Sequence, residues 1–193
     1  MRYDGIKEAF GISYGFVRGG EKIVFIKAGL GGNHFGLEDR YLKMACRLRD
    51  KYGFSVIVAS NPNDGRGHAQ YDRAIIEEYS ADCGISSPRF LFFGHSNGCV
   101  KGLELSASGL SFEKMVLVNM PLMVNFHRIK RYISAIPKTD ITLVFGELDP
   151  SYYYLPFIRD RYENARVLTV DEADHNFKGL TDGFILLSDA LAE

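Results

Sequence analysis

The sequence is short of cysteine: Cys46, Cys83 and Cys99 lie scattered along 193 residues with no CxxC spacing. An odd, dispersed set argues against a disulfide framework or a thiolate zinc site. It suits a reducing compartment, so a cytoplasmic location is expected. As small apolar side chains the three thiols fit a buried core. Excess charge is also lacking. With 23 Lys and Arg against 24 Asp and Glu, the formal net charge is -1, which gives no reason to expect nucleic acid or an anionic membrane surface as the main partner. No apolar run approaches the about 18 residues of a membrane span, so no membrane insertion is expected. The N-terminal stretch MRYDGIKEAFGIS carries acidic residues and lacks the apolar core of a secretory signal. Linkers, repeats and low-complexity segments are missing too. The expectation is a single domain over 1–193, long enough to bury a sizeable core.

What is present is an alternation of two periods. EKIVFIKAG (21–29), GFSVIVAS (53–60), PRFLFFG (88–94), EKMVLVNM (113–120), DITLVFG (140–146) and ARVLTVD (165–171) are short apolar runs. Near-continuous hydrophobicity over five or six residues is the pattern of parallel strands buried on both faces. Helix-length segments lie between them. LEDRYLKMACRLRDKY (37–52) places Leu37, Tyr41, Met44, Ala45 and Leu48 on one stripe, and 69–83 and 99–109 follow less cleanly. This spacing predicts a doubly wound α/β sheet, mostly parallel, with right-handed crossovers. GISYGFVRGGEKIVFI predicts an antiparallel N-terminal edge hairpin turning at Gly19-Gly20. The connector 120–139 holds one helix.

In FLFFGHSNGCVKGLEL (90–105) a buried strand runs into Gly94-His95-Ser96-Asn97-Gly98 and then a helix. Reactive groups in open α/β sheets gather at the carboxyl ends of strands. That edge collects Ser96, then Glu147 and Asp149, then Asp171, Asp174 and His175, together with the glycine-rich AGLGGNHFG loop. A serine hydroxyl needs a base to take its proton, histidine can do so near neutral pH, and a carboxylate orients the ring. Small neighbours leave room for a sharp strand-to-helix turn. The helix beginning near Asn97 aims free N–H groups at developing negative charge.

Gly94-His95-Ser96-Asn97-Gly98, Asp149 in GELD and His175 in ADHNF, in that order, resemble the α/β-hydrolase family. The resemblance covers roughly 21–190 and includes NPNDGRGH (61–68), similar to the family's loop after its fourth strand. It implies catalytic Ser96, Asp149 and His175, with Glu147 as the competing acid. Asp174 lies too close to His175 in sequence to be the expected partner. It also implies an oxyanion hole of the Asn97 N–H with Leu30 or Gly29, from a loop where Ala28 stands in place of the family's common histidine. About 20 residues occupy the usual place of the cap, so the cap is minimal or missing.

Other chemistry fits poorly. A Rossmann GxGxxG fails at His34, and a P-loop fails because Gly36 is followed by Leu37-Glu38. The histidines show no metal-ligand spacing. No cofactor and no metal are expected. His95 packs or hydrogen-bonds rather than reacts. Arg128, Lys130 and Arg131 form a basic segment that is either a solvated helix face or a contact for an anionic substrate. Among the aromatic and sulfur-bearing side chains near the motifs, Phe35 and Met123 are the candidates for substrate binding. The expected function is a serine hydrolase acting on a small-molecule acyl substrate, an ester cleaved through an acyl-enzyme. A thioesterase or acyltransferase with the same triad is the alternative, and a non-catalytic binding scaffold is the alternative of another class. The sequence leaves a homo-oligomer open but does not indicate one.

Overall fold

The computed structural model describes residues 1–136, 139–159 and 165–193. Its strands are β1 (Gly5–Ala9), β2 (Ile12–Val17), β3 (Lys22–Lys27), β4 (Ser55–Ala59), β5 (Arg89–His95), β6 (Lys114–Val118), β7 (Asp140–Gly146) and β8 (Ala165–Val170). They form one sheet in the order β1-β2-β4-β3-β5-β6-β7-β8. From β4 to β8 every neighbouring pair is parallel, and β2 is antiparallel to both β1 and β4. The helices are α1 (Arg40–Tyr52), α2 (Ala69–Asp82), α3 (Asn97–Ala107), α4 (Leu122–Ser134), α5 (Pro156–Arg159) and α6 (Thr181–Leu186). None of the described helices is long and apolar enough to cross a membrane.

Adjacent strand residues point to opposite faces, so each apolar run feeds two cores. Phe25, Ile57, Phe92, Leu117 and Leu143 meet α2, α3 and α4 through Ile76, Leu103 and Ile129. Val24, Ile26, Val56, Phe93 and Val116 meet α1 and α6 through Met44, Leu48 and Phe184. This is the expected doubly wound arrangement.

Two local expectations change. The antiparallel edge hairpin exists, but β1 and β2 form it around Phe10-Gly11, and the expected turn at Gly19-Gly20 is a crossing. The Gly20 N–H donates to the Gly53 carbonyl at 2.6 Å, and a β-carbon on Gly19 would stand 2.4 Å from the Phe54 carbonyl oxygen. The chain steps over the start of β4 there, and β3 pairs on the far side, between β4 and β5, where both its faces are covered. Helix α1 starts at Arg40 rather than at Leu37, because Glu38 (φ 53°) and Asp39 (φ 57°) adopt left-handed conformations. Leu37 is consequently exposed, while Tyr41, Met44, Ala45 and Leu48 are buried as expected. The connector between β6 and β7 contains α4; positions 137–138 of the expected range lie outside the described residues.

Because these strands run parallel, Lys27, Ala59, His95, Val118, Gly146 and Val170 all end at one edge. Every loop that the sequence marked for chemistry leaves from it.

Candidate active site

Ser96 sits between β5 and α3 at φ 54°, ψ -126°, a conformation that side chains rarely adopt. Its N–H is held by the Val118 carbonyl at 2.8 Å, and its hydroxyl does not cap the helix it precedes. The flanking glycines are required by proximity. A β-carbon on Gly98 would stand 2.3 Å from the Lys27 carbonyl oxygen, and one on Gly94 would meet the Cys99 nitrogen at 2.8 Å. Glycine at both positions lets α3 start directly against the end of β3.

The turn aims Ser96 at the loop after β8. Its Oγ lies 2.8 Å from His175 Nε2, and His175 Nδ1 is hydrogen-bonded to Asp149 Oδ2 in the loop after β7. Asp149 is fully buried, and its other oxygen accepts the Ser151 N–H at 2.6 Å. Burial raises the Asp149 pKa. The hydrogen bonds with His175 and Ser151 oppose that and outweigh it, leaving the carboxyl below its ordinary value and ionised. The other acids are engaged elsewhere. Glu147 is exposed and accepts the Glu172 N–H at 3.2 Å. Asp174 caps its own turn through the N–H groups of Asn176 and Lys178. Among the described residues Asp149 is the carboxylate that meets His175.

No family model and no curated protein sequence matches the chain. Solved structures do. Est1E from Butyrivibrio proteoclasticus superposes with a TM-score of 0.73 at 12% identity, covering 97% of each chain. An α/β serine hydrolase homologue from Coxiella burnetii gives 0.73 at 14% identity, covering 99% of this chain and 98% of that one. The thioesterase domain from the curacin biosynthetic pathway gives 0.68 at 11% identity, covering 98% of both. This is the α/β-hydrolase fold.

In this α/β-hydrolase fold the loop after β3 lies against the serine. A β-carbon on Gly29 would stand 3.3 Å from the Ser96 β-carbon. The loop is tied down by Asn61, a fully buried residue after β4 that opens the NPNDGRGH stretch and was not among the expected site residues. Its Nδ2 donates to the Ala28 carbonyl at 3.0 Å and to Asn97 Oδ1 at 3.2 Å. Its backbone exchanges hydrogen bonds with Gly31 and Gly32. Leu30 is left exposed at the loop tip, and Asn97 begins α3. Below them the Lys27 ammonium meets Asp72 at 2.6 Å with both side chains out of solvent. Burial lowers the lysine's pKa and raises the aspartate's, and each group opposes the shift of the other.

A second overlooked residue, Asn119, joins the acid loop to the histidine loop. It is buried at φ 48°, donates to the carbonyls of Asp174 (3.1 Å) and His175 (3.0 Å), and accepts the Gly146 N–H at 2.8 Å. The available signal was a polar residue ending an apolar strand on the reactive edge.

The two candidate substrate contacts part company. Met123 is exposed at the start of α4, after β6. Phe35 turns away to Tyr3 and His34, at ring distances of 5.6 and 4.4 Å, and lines a shallow cavity with Met1, Ile6 and Leu42. In the basic segment, Arg128 binds Glu104 on α3 at 3.0 Å and stacks with Arg131 on Tyr132. Arg128 therefore ties α4 to α3.

Proposed function

We propose that the protein is a serine hydrolase that cleaves a carboxylic ester through an acyl-enzyme. The observation that carries this reading is one hydrogen-bonded line, Ser96 Oγ to His175 Nε2 at 2.8 Å and His175 Nδ1 onward to the ionised Asp149. His175 Nε2 takes the hydroxyl proton as Ser96 Oγ bonds to the substrate's carbonyl carbon. The resulting oxyanion is held by the backbone N–H groups of Asn97 and of Leu30 or Gly29; losing one such donor would slow the reaction about 100–1,000-fold. Collapse expels the alcohol, which receives the proton from His175. Water then repeats the sequence and releases the acid. Asp149 keeps the Nδ1 proton in place and stabilises the imidazolium.

The substrate's acyl part is small and apolar. Leu30, Met123, Val124 and Leu148 are exposed apolar side chains on the segments that follow β3, β6 and β7, which leave from the same edge as Ser96. Thioester cleavage by the same residues is the second reading, favoured by the likeness to a thioesterase domain.

The test is labelling by a fluorophosphonate probe followed by a panel of p-nitrophenyl esters and matched thioesters. Wild type is expected to label and turn over, while Ser96→Ala and His175→Ala do neither. Asp149→Asn should lose about 10⁴-fold in kcat, and Glu147→Gln should retain wild-type activity. A folded wild type that neither labels nor hydrolyses any member sinks the reading and leaves a hydrolase scaffold used for binding.

A further inference from the structure

Arg40, the first residue of α1, is buried although it is charged. Its guanidinium lies 4.1 Å over the Phe184 ring and 5.1 Å over that of Tyr41, and Nε has no partner among the described residues. The rest of the fork is engaged beside the reactive line. One terminal nitrogen donates to the Asn176 carbonyl at 2.7 Å, and the other lies 3.3 Å from His95 Nδ1.

A guanidinium can only donate, so His95 Nδ1 must be the acceptor, and the single proton of the neutral imidazole belongs on Nε2. That nitrogen lies 2.8 Å from the His175 carbonyl oxygen, to which it donates. Burial, with the Arg40 charge adding to it, pushes the His95 pKa down to about 3, so the ring stays neutral at any ordinary working pH. The backbone at and just after His175 is therefore fastened at two carbonyls: at 175 by His95 and Asn119, and at 176 by Arg40. His95 also immediately precedes Ser96, so the same ring joins the turn that carries the nucleophile to the loop that carries the base.

We propose that Arg40 and His95 are positioning residues that hold His175 in register with Ser96 when the direct hydrogen bond between those two is absent. This rests on the serine-hydrolase reading. During acylation His175 has its own bond to the Ser96 hydroxyl. In the acyl-enzyme that oxygen is esterified and has no proton to donate. His175 must then hold a water, taking its proton as the water oxygen bonds to the acyl carbon. The bond to Ser96 Oγ breaks, and the proton passes to that oxygen. Asp149 orients the ring about Nδ1, and the Arg40–His95 link fixes the backbone that carries it. Loosening the link consequently slows deacylation more than acylation.

Pre-steady-state kinetics with p-nitrophenyl acetate separate the two steps, for wild type, His95→Ala, His95→Gln and Arg40→Lys. A lysine cannot span both of Arg40's acceptors, whereas glutamine retains a donor near the position of Nε2. Deacylation in His95→Ala and Arg40→Lys is expected to fall by up to about 100-fold, the scale of an ångström-sized misplacement. Acylation should fall less, so the burst grows, and His95→Gln should recover most of the loss. Equal slowing of both steps, an unaffected deacylation rate, or a glutamine variant no better than alanine in folded protein overturns the proposal.

Nitrogen-15 spectra of the wild-type imidazoles judge the link without turnover. A proton on His95 Nε2, and a slowly exchanging His175 Nδ1 proton that broadens in Arg40→Lys, support it. A proton on His95 Nδ1 refutes it, even if the alanine variant does not fold. Failure of the wild type to label or turn over would instead count against the hydrolase reading, with these spectra still deciding the link.

Discussion

Burial moves the His95 imidazole from its ordinary 6.5 to about 3, and that displacement makes stability depend on pH. Between those values the unfolded chain binds a proton that the folded protein refuses. Stability therefore rises with pH across the window, is fully present above about 6.5, and drains away as the pH falls toward 3. The slope from this one group is about 1.4 kcal/mol per pH unit. His34, also lowered by burial, acts in the same direction, so the comparison has to be differential. Urea unfolding of wild type and His95→Gln between about pH 4 and 7 should give a shallower profile for the variant; parallel profiles would mean that His95 titrates normally. At this scale the residues named from sequence were those whose chemistry shows in their type, such as Ser96, Asp149 and His175. Asn61, Asn119 and Arg40 act through backbone carbonyls brought close by the fold, and nothing in an asparagine or arginine codon position announces such a partner.

Helix α3 must begin where β3 ends, and Gly98 is where the two backbones touch. A β-carbon there would lie 2.3 Å from the Lys27 carbonyl oxygen and 2.7 Å from that of Ala28, neither of which is a flexible side-chain tip. Gly98→Ala should lower stability by about 1–3 kcal/mol, the usual range for overpacking, read as a shift in urea midpoint. It should also displace the Ala28–Leu30 loop and weaken probe labelling of Ser96. A variant with wild-type midpoint and labelling would show that the helix can shift without consequence. The parallel strands β3 to β7 were legible as apolar runs because burial on both faces leaves no polar alternation, whereas β8, read from the same kind of run, lies at the sheet edge with its residues only half-buried or exposed. Strand β1 was not. Its GIKEA sequence is exposed through Ile6, Lys7 and Glu8 at the sheet edge, and it carries no such pattern. The start of α1 was misplaced because left-handed Glu38 and Asp39 interrupt a stripe whose spacing continues through them.

At the scale of the whole molecule, a buried ion pair joins the sheet to a helix layer. Lys27 closes β3, Asp72 lies in the first turn of α2, and their side chains are 0% and 1% exposed. Removing one partner strands the other in the interior, so Lys27→Met should cost about 3–5 kcal/mol. That is a large share of the about 5–15 kcal/mol that a typical domain has in total. The double variant Lys27→Met/Asp72→Leu should recover most of that loss, because two apolar side chains need no counter-charge. Equilibrium unfolding of the three proteins checks this. A double variant no more stable than the single would mean that the pair itself, and not the stranded carboxylate, supplies the stability.

Local chemistry was carried by the sequence alone: buried runs, helix-length spacers, a serine between glycines, and an acid and a histidine at later strand ends. These follow from periodicity and residue type, which act over a few positions. The tertiary structure decided what depends on distant segments meeting. It set the order in which strands pair, passed Gly19-Gly20 across β4, and chose Asp149 over Glu147 as the partner of His175. It also brought Arg40 and His95 together beside the His175 backbone. Those outcomes turn on which buried polar group finds a partner at a sequence separation of 26, 55 or 80 residues, and no window of neighbouring residues encodes that.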